Sequence, residues 1–251
     1  MALTTLAAMG QAENAATVWQ HFALHLAKMG FPRCFYGLTR FRFEQASGEP
    51  ADAFHFAAGM DDRLQSYLRS AEFAANPMYR WMLENTGACT WGWIDVARRA
   101  DQLSATEIAA LKQSTHLGLG AGVGIRFAET CHRIKGAIGL FAHITTPHAE
   151  VDRLWRAHES EITALTHMMH LKIASLPLSP VISLTKRQRE ALEWVADGKT
   201  MQDIAVLMGV SSATVEKHLR LAREALNVGT TAQAVARATL AHTIFTRNKL
   251  D

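Results

Sequence analysis

Uninterrupted apolar runs are missing from this chain of 251 residues, although hydrophobic residues make up 49% of it. No stretch reaches the roughly 18 consecutive apolar residues that a membrane-crossing helix needs, and the N-terminus lacks a basic segment followed by an apolar run. A cytoplasmic protein with no membrane partner is therefore expected. Cysteine is scarce: Cys34, Cys89 and Cys131 stand far apart, with neither a C-x-x-C pair nor a zinc-ligand spacing, and read as reduced thiols. His167 and His170 lie three apart, but with no carboxylate or third histidine at a matching turn an exposed face is the simpler reading than a metal site. The alternating glycines from Gly118 to Gly124 are not followed by Lys-Ser/Thr and run into a strand, which excludes a phosphate loop. No Ser, Cys or carboxylate has an evident base beside it, so no catalytic residue, metal or cofactor is expected and the chain is not read as an enzyme.

Net charge is small as well, +3, but its location is informative. From Pro180 onward ten basic residues stand against seven acidic ones, whereas the preceding part carries sixteen of each. The whole excess thus lies in the last part of the chain, as a polyanionic partner there would require. Length and composition suit a domain over residues 1–175, a linker over 176–182 containing Pro177 and Pro180, and a second domain over 183–251.

Periodicity predicts a helix over 13–30, strands over 34–43 and 53–58 joined by a polar turn at 44–50, and a helix over 61–75 that Pro77 ends. A strand-like stretch over 89–94 follows. Ser104 and Glu107 make a capping box for the next helix, strands are expected over 121–128 and 136–143, and the longest helix over 148–174. This order implies an α/β sandwich, a five-stranded, mostly antiparallel sheet flanked by helices, with room for a small molecule between layers.

The second domain reads as all-α. Met201 to Met208 is a short helix, Gly209 breaks it, Ser211 is a good N-cap, and a second helix runs from Ser212 to about Leu226. Val215, Leu219, Ala222 and Leu226 form its apolar stripe, while Glu216, Lys217, Arg220 and Arg223 point away. Two helices joined by a tight glycine turn, the second with a basic face, describe a helix-turn-helix that enters the DNA major groove; an ordinary solvated helix face is the alternative. A last helix over 231–245 has a small-residue face, Ala234, Val235, Ala238 and Ala241, suited to close pairing within the subdomain or across a dimer.

Leu184-Thr185, Glu190-Ala191-Leu192, Trp194, Gly198-Lys199-Thr200, Ile204-Ala205, Ser211, Thr214-Val215, His218 and Leu226-Asn227-Val228 stand in the order and spacing of the LuxR-type DNA-binding domain. With the domain ahead of it, the whole chain resembles a quorum-sensing regulator of that family. The resemblance implies double-stranded DNA and a second copy of the chain as partners. It puts Glu216, Lys217 and Arg220 at the bases, and Lys199, Thr214 and Arg223 nearer the phosphates. The chain departs from the family at Gln188, where Glu is usual, at Ala225, where Lys or Arg is usual, and at Thr231, where Arg is usual.

The resemblance further implies an N-acyl homoserine lactone site in the first domain. Tyr67, Pro77, Trp91 and Gly122 stand at the family's spacings, Tyr67 to donate to the acyl carbonyl and Trp91 to wall the ring pocket. The family's Trp for the lactone carbonyl falls at Arg63, its Asp for the amide N–H at Asn76, and a Ser or Thr near the amide at Gly139. Asn offers only a neutral bond, about half as strong as a carboxylate's, and a guanidinium cannot shed its charge on burial. These changes lead to the expectation of a regulator that is ligand-independent or takes a non-standard small molecule. That Tyr67, Trp91, Trp93 and Phe73 are ordinary core aromatics is the plainer alternative. Three other readings compete: a conventional acyl homoserine lactone-dependent regulator, a dimerising antagonist of a homologous regulator, and, most weakly, an enzyme fused to a DNA reader.

Overall fold

Side-chain oxygens begin most of the helices where the sequence supplies them. In the computed structural model, which describes residues 1–39, 53–128, 134–177 and 184–245, helix α1 (Ala2–Gln11) precedes α2 (Ala15–Lys28), and Asn14 caps α2 by accepting from the Thr17 amide at 2.8 Å. Helix α1 was not expected; the Thr5 hydroxyl ties it to His25 Nδ1 at 2.8 Å. Strands β1 (Arg33–Thr39) and β2 (Ala53–Ala58) pair antiparallel, as a hairpin requires. Residues 40–43 of the expected strand, the turn at 44–50, Cys131 and most of the expected linker lie outside the described residues.

The single helix expected over 61–75 is two, α3 (Asp62–Leu68) and α4 (Ala71–Ala74), and the helical turn that the pattern also allows over 79–85 is a full helix, α5 (Pro77–Glu84). Ser70 restarts the helix by accepting from the Phe73 amide at 3.3 Å. Pro77 opens α5 rather than closing its predecessor, because at the first helical position the missing N–H has no partner to lose. The expected strand over 89–94 shortens to β3 (Gly87–Thr90), and its second half becomes the start of α6 (Trp93–Arg99). The Ser104–Glu107 capping box forms as expected and opens α7 (Ala105–His116), followed by β4 (Gly122–Arg126), β5 (Lys135–Phe141) and α8 (His148–Ser175).

The five strands run in the order β2-β1-β5-β4-β3, each pair antiparallel. Alternation divides their side chains between two layers. On one face Tyr36 stacks on Trp19 of α2 at 6.3 Å and donates or accepts at His170 Nδ1 of α8 at 2.8 Å. His170 is therefore not on an exposed face, as expected from sequence, but is 3% exposed and stacked on Phe127 at 3.9 Å. On the other face Phe35 and Phe141 meet a cluster from the helices between β2 and β4, including Leu64, Tyr67, Phe73, Met78, Trp91, Ile94 and Leu111. No helix among the described residues is long and apolar enough to cross a membrane.

The chain divides into two compact units, Met1–Ile173 and Ala174–Asp251. The second is all-α where described: α9 (Lys186–Ala196), α10 (Met201–Met208), α11 (Ser212–Ala225) and α12 (Thr231–Leu240). Capping boxes open α9, α10 and α12, from Thr185 with Gln188, Thr200 with Asp203 and Thr230 with Gln233. Leu192, Ile204, Met208, Val215, Leu219 and Leu226 fill one core. Ala234 and Ala238, both 0% exposed, pack into that core. The small-residue face of α12 is thus taken up within the subdomain, because an alanine methyl lets the neighbouring helices approach.

Candidate nucleic-acid interface and ligand site

The turn between α10 and α11 has the geometry its residues require. Gly209 sits at φ +66°, ψ 36°, a left-handed conformation that side chains resist, and the Val210 amide donates back to the Ala205 carbonyl at 2.9 Å. Ser211 then caps α11 through the Thr214 amide at 3.2 Å and exchanges a hydrogen bond with the Thr214 hydroxyl at 2.9 Å. Val215, Leu219 and Ala222 are buried, which turns Glu216, Lys217 and Arg220 outward to solvent. The predicted base-contacting residues therefore share one free face. Lys199 is exposed at the turn before α10. There the Asp203 carboxylate is held below its ordinary range by hydrogen bonds from the Thr200 hydroxyl and amide, with Lys199 nearby adding to the effect.

Two ion pairs organise the outer face of α11. Arg220 Nη1 lies 2.5 Å from Glu224 Oε1, with both side chains about half exposed. Such a pair contributes only about 0–1 kcal/mol, so little holds Arg220 in it. Arg223 is held more firmly: Nη2 donates to Glu216 Oε1 at 2.9 Å and Nη1 to the Thr231 hydroxyl at 2.9 Å, and its side chain is only 21% exposed. Thr231, a departure from the family pattern, thus fixes Arg223 against the start of α12. Gln188, another departure, keeps the capping function of a Glu, since its Oε1 accepts from the Thr185 amide at 2.9 Å.

In the first unit the predicted ligand residues gather only in part. Tyr67, 6% exposed, and Asn76, 4% exposed, converge on Ser114 of α7, which sequence reasoning missed. The Tyr67 hydroxyl is 2.8 Å from Ser114 Oγ and 3.0 Å from the Ala110 carbonyl. Asn76 Nδ2 donates to Ser114 Oγ at 3.1 Å, while its Oδ1 accepts from the Met78 amide at 2.9 Å and so caps α5. Burial pushes the Tyr67 phenol above its ordinary range, partly offset by the Ser114 hydrogen bond and reinforced by Glu72. Arg63 does not join them. It is exposed on α3, because Leu64, Tyr67 and Leu68 form the inward stripe of that short helix and leave Arg63 outside it.

Beneath the cluster the sheet offers glycines. Gly122 and Gly124 of β4 and Gly139 of β5 lie on the same face as Phe141, as the register Gly122↔Phe141 and Gly124↔Gly139 requires. The Phe141 ring lies back over Gly139, where a Cβ would approach it to 2.9 Å, and packs edge-on against Trp91 with centroids 5.0 Å apart. Met78 and Met82 cover Gly124. At Gly122 a Cβ would come within 2.4 Å of the Leu140 carbonyl oxygen, so a side chain there would obstruct strand pairing. Trp91, 7% exposed, has no hydrogen-bond partner for its indole N–H among the described residues. The site is thus an apolar cluster in which the indole N–H groups of Trp91 and Trp93 have no hydrogen-bond partner among the described residues, beside a polar corner closed on itself. A signal for Ser114 was present: it follows Glu107, Ala110 and Leu111 on the inward face of α7, a polar residue at a core position.

Comparison with known proteins covers both units. The autoinducer binding domain matches residues 14–173, and the domain of bacterial regulatory proteins of the luxR family matches residues 182–238. The transcriptional activator protein AnoR of Acinetobacter nosocomialis is 29% identical over 124 residues, 47% of this chain and 52% of that one, so the match spans about half the length of that relative. The transcriptional activator protein SolR of Ralstonia solanacearum is 25% identical over 240 residues, 90% of this chain and 92% of that one. Escherichia coli SdiA has a similar structure, with a TM-score of 0.54, 18% identity and 98% of each chain covered, a likeness of fold alone.

Proposed function

Because the chain belongs to the LuxR-type regulatory proteins that carry an autoinducer binding domain, we propose that it is a homodimeric transcription regulator of double-stranded DNA, acting in the cytoplasm, whose sensor domain does not depend on an ordinary acyl homoserine lactone. The observation that carries this reading is the closure of Tyr67 and Asn76 on Ser114. A ligand amide needs an acceptor and a ligand carbonyl needs a donor. Here the Asn76 oxygen already caps α5, and the Tyr67 hydroxyl is already bonded. A lactone would exchange bonds there rather than satisfy orphaned groups, and only orphaned groups carry a large penalty. The unpartnered Trp91 indole favours an apolar molecule with a hydrogen-bond acceptor, if any ligand binds. The test is thermal unfolding of the purified full chain with a panel of acyl homoserine lactones, with none expected to raise the sensor transition. A rise of several degrees with any of them would restore the conventional, lactone-dependent reading.

The DNA side of the proposal rests on the free face of α11 and on the positive charge of the second unit, with 183–251 as the reader, 176–182 as the linker and 1–175 as the sensor. Arg220→Ala should cost about 1–3 kcal/mol of specific binding and relax base preference, through loss of a bidentate contact to guanine. Lys199→Ala should weaken all sequences alike and lower the salt slope by about one, as loss of a single phosphate contact does. Fluorescence anisotropy with operator and scrambled duplexes at several salt concentrations separates the two. Equal loss on both duplexes in Arg220→Ala would remove the assignment.

Dimerisation has support from exposed Leu24 on α2 and Leu171 on α8, 58% and 64% exposed, and from the two half-sites that helix-turn-helix readers engage. Sedimentation at micromolar concentration should give a dimer, and a monomer on operator-length DNA would end this part of the proposal. The antagonist reading draws on Arg223, held by Glu216 and Thr231, and on Ala225, which carries no cation. It predicts mixed dimers with a homologous regulator and no operator binding by the pure protein.

A further inference from the structure

Ser114 does not bond as a serine in the last turn of a helix ordinarily does. The usual partner is the carbonyl four residues back, and the adjacent Thr115 follows that rule, donating to the Leu111 carbonyl at 3.0 Å. For Ser114 that carbonyl belongs to Ala110, and it is Tyr67 that lies against it, at 3.0 Å. The hydrogens of the corner can therefore be placed by what each atom is able to do. The Ala110 carbonyl only accepts, so the single phenolic hydrogen of Tyr67 goes to it. The Ser114 hydroxyl then gives its own hydrogen to the Tyr67 oxygen at 2.8 Å and accepts from Asn76 Nδ2 at 3.1 Å. The orientation of Asn76 follows too, because its other end faces the Met78 N–H, a donor, at 2.9 Å. All links run one way, from Asn76 through Ser114 and Tyr67 to Ala110.

We infer that the Ser114 hydroxyl is a built-in occupant of the polar end of the sensor site, and that Ser114 is the residue that sets its specificity by taking up the Asn76 amide donor and the Tyr67 oxygen that a ligand carbonyl and amide would otherwise use. This rests on the reading that the site does not require a lactone, and it goes further by naming the group that replaces the ligand. It also predicts that a carboxylate at position 76 is not sufficient for lactone binding. An aspartate there would cap α5 with one oxygen and draw the Ser114 hydroxyl onto the other, so that the hydroxyl still stands in the place of a ligand amide. Opening the site needs the loss of the Ser114 hydroxyl.

The experiment compares the full-length protein with Ser114→Ala, Ser114→Thr, Asn76→Asp and the double variant Asn76→Asp with Ser114→Ala, by thermal unfolding with and without saturating N-octanoyl homoserine lactone. The unsubstituted protein, Ser114→Thr and Asn76→Asp should not respond. Ser114→Ala should unfold several degrees lower alone and recover with the lactone, and the double variant should show the largest rise. A folded Ser114→Ala that does not respond, or an Asn76→Asp that responds without loss of Ser114, would overturn the inference. If Ser114→Ala is soluble only when produced with the lactone, the inference stands; if it is insoluble in both media, it is overturned, since the ligand should take the hydroxyl's place. A response in the unsubstituted protein would instead defeat the underlying reading of the site.

Discussion

Leu219→Ala is expected to abolish DNA binding by unfolding the reader, with a larger effect than removal of any single contact to DNA. Leu219 is 2% exposed on the inward stripe of α11 and lies in the core that also holds Val215, Ile204, Met208 and Leu192. Truncating a buried leucine to alanine costs about 2–5 kcal/mol, the transfer free energy plus that of the cavity left behind. A small helical unit of this kind has a total stability of only about 3–9 kcal/mol on the per-residue average, so the loss is a large fraction of the whole. Circular dichroism on heating should show the transition of the second unit lowered or lost, with specific and non-specific DNA binding falling together. Arg220→Ala should melt as the unsubstituted protein does, because Arg220 is exposed and its pair with Glu224 is a surface one. A Leu219→Ala protein that melts normally and still binds its operator would show that α11 does not pack as described.

Gly122→Ala is expected to lower the unfolding temperature of the first unit by on the order of 5 °C or more, whether or not a ligand is present. The added Cβ would stand 2.4 Å from the Leu140 carbonyl oxygen, an atom of the neighbouring strand that cannot rotate away, and 3.4 Å from the Trp91 ring. Relief requires β4 to move from β5 along the register Val123↔Leu140, in the interior of the sheet. Overpacking of this kind costs about 1–3 kcal/mol, and more where backbone is the obstacle. Differential scanning calorimetry reads the effect directly. If Gly122→Ala melted normally and changed the response to lactones instead, Gly122 would be a ligand residue, as the family resemblance implies, and not a requirement of strand pairing.

Departures from the family pattern could be seen in the sequence, but their consequences could not. Gln188 looked like a lost charge, yet it retains the capping contact to Thr185. Thr231 looked like a lost cation, yet its hydroxyl holds Arg223. Arg63 looked like a charge in the head-group site and is exposed. For Gln188 and Thr231 the side chain's partner, and for Arg63 its place on α3, determined the outcome rather than its type.

What the sequence determined by itself is local. The glycine turn and Ser211 cap, the capping boxes opened by Ser104 and Thr185, and the apolar stripe of α11 depend on residues within one or two helical turns of each other, where spacing alone settles geometry. Period-two alternation likewise marked the strands, although not the break of 61–75 into two helices, which turned on Ser70 finding a nearby amide to cap. Only the tertiary structure decided which residues of the candidate ligand site meet. Tyr67 and Ser114 are 47 residues apart and Asn76 and Ser114 are 38 apart, so whether they meet depends on how α3, α5 and α7 pack over the sheet. A buried polar group must find a partner wherever packing places one, and no spacing along the chain reveals that the partner here is a serine of the protein itself.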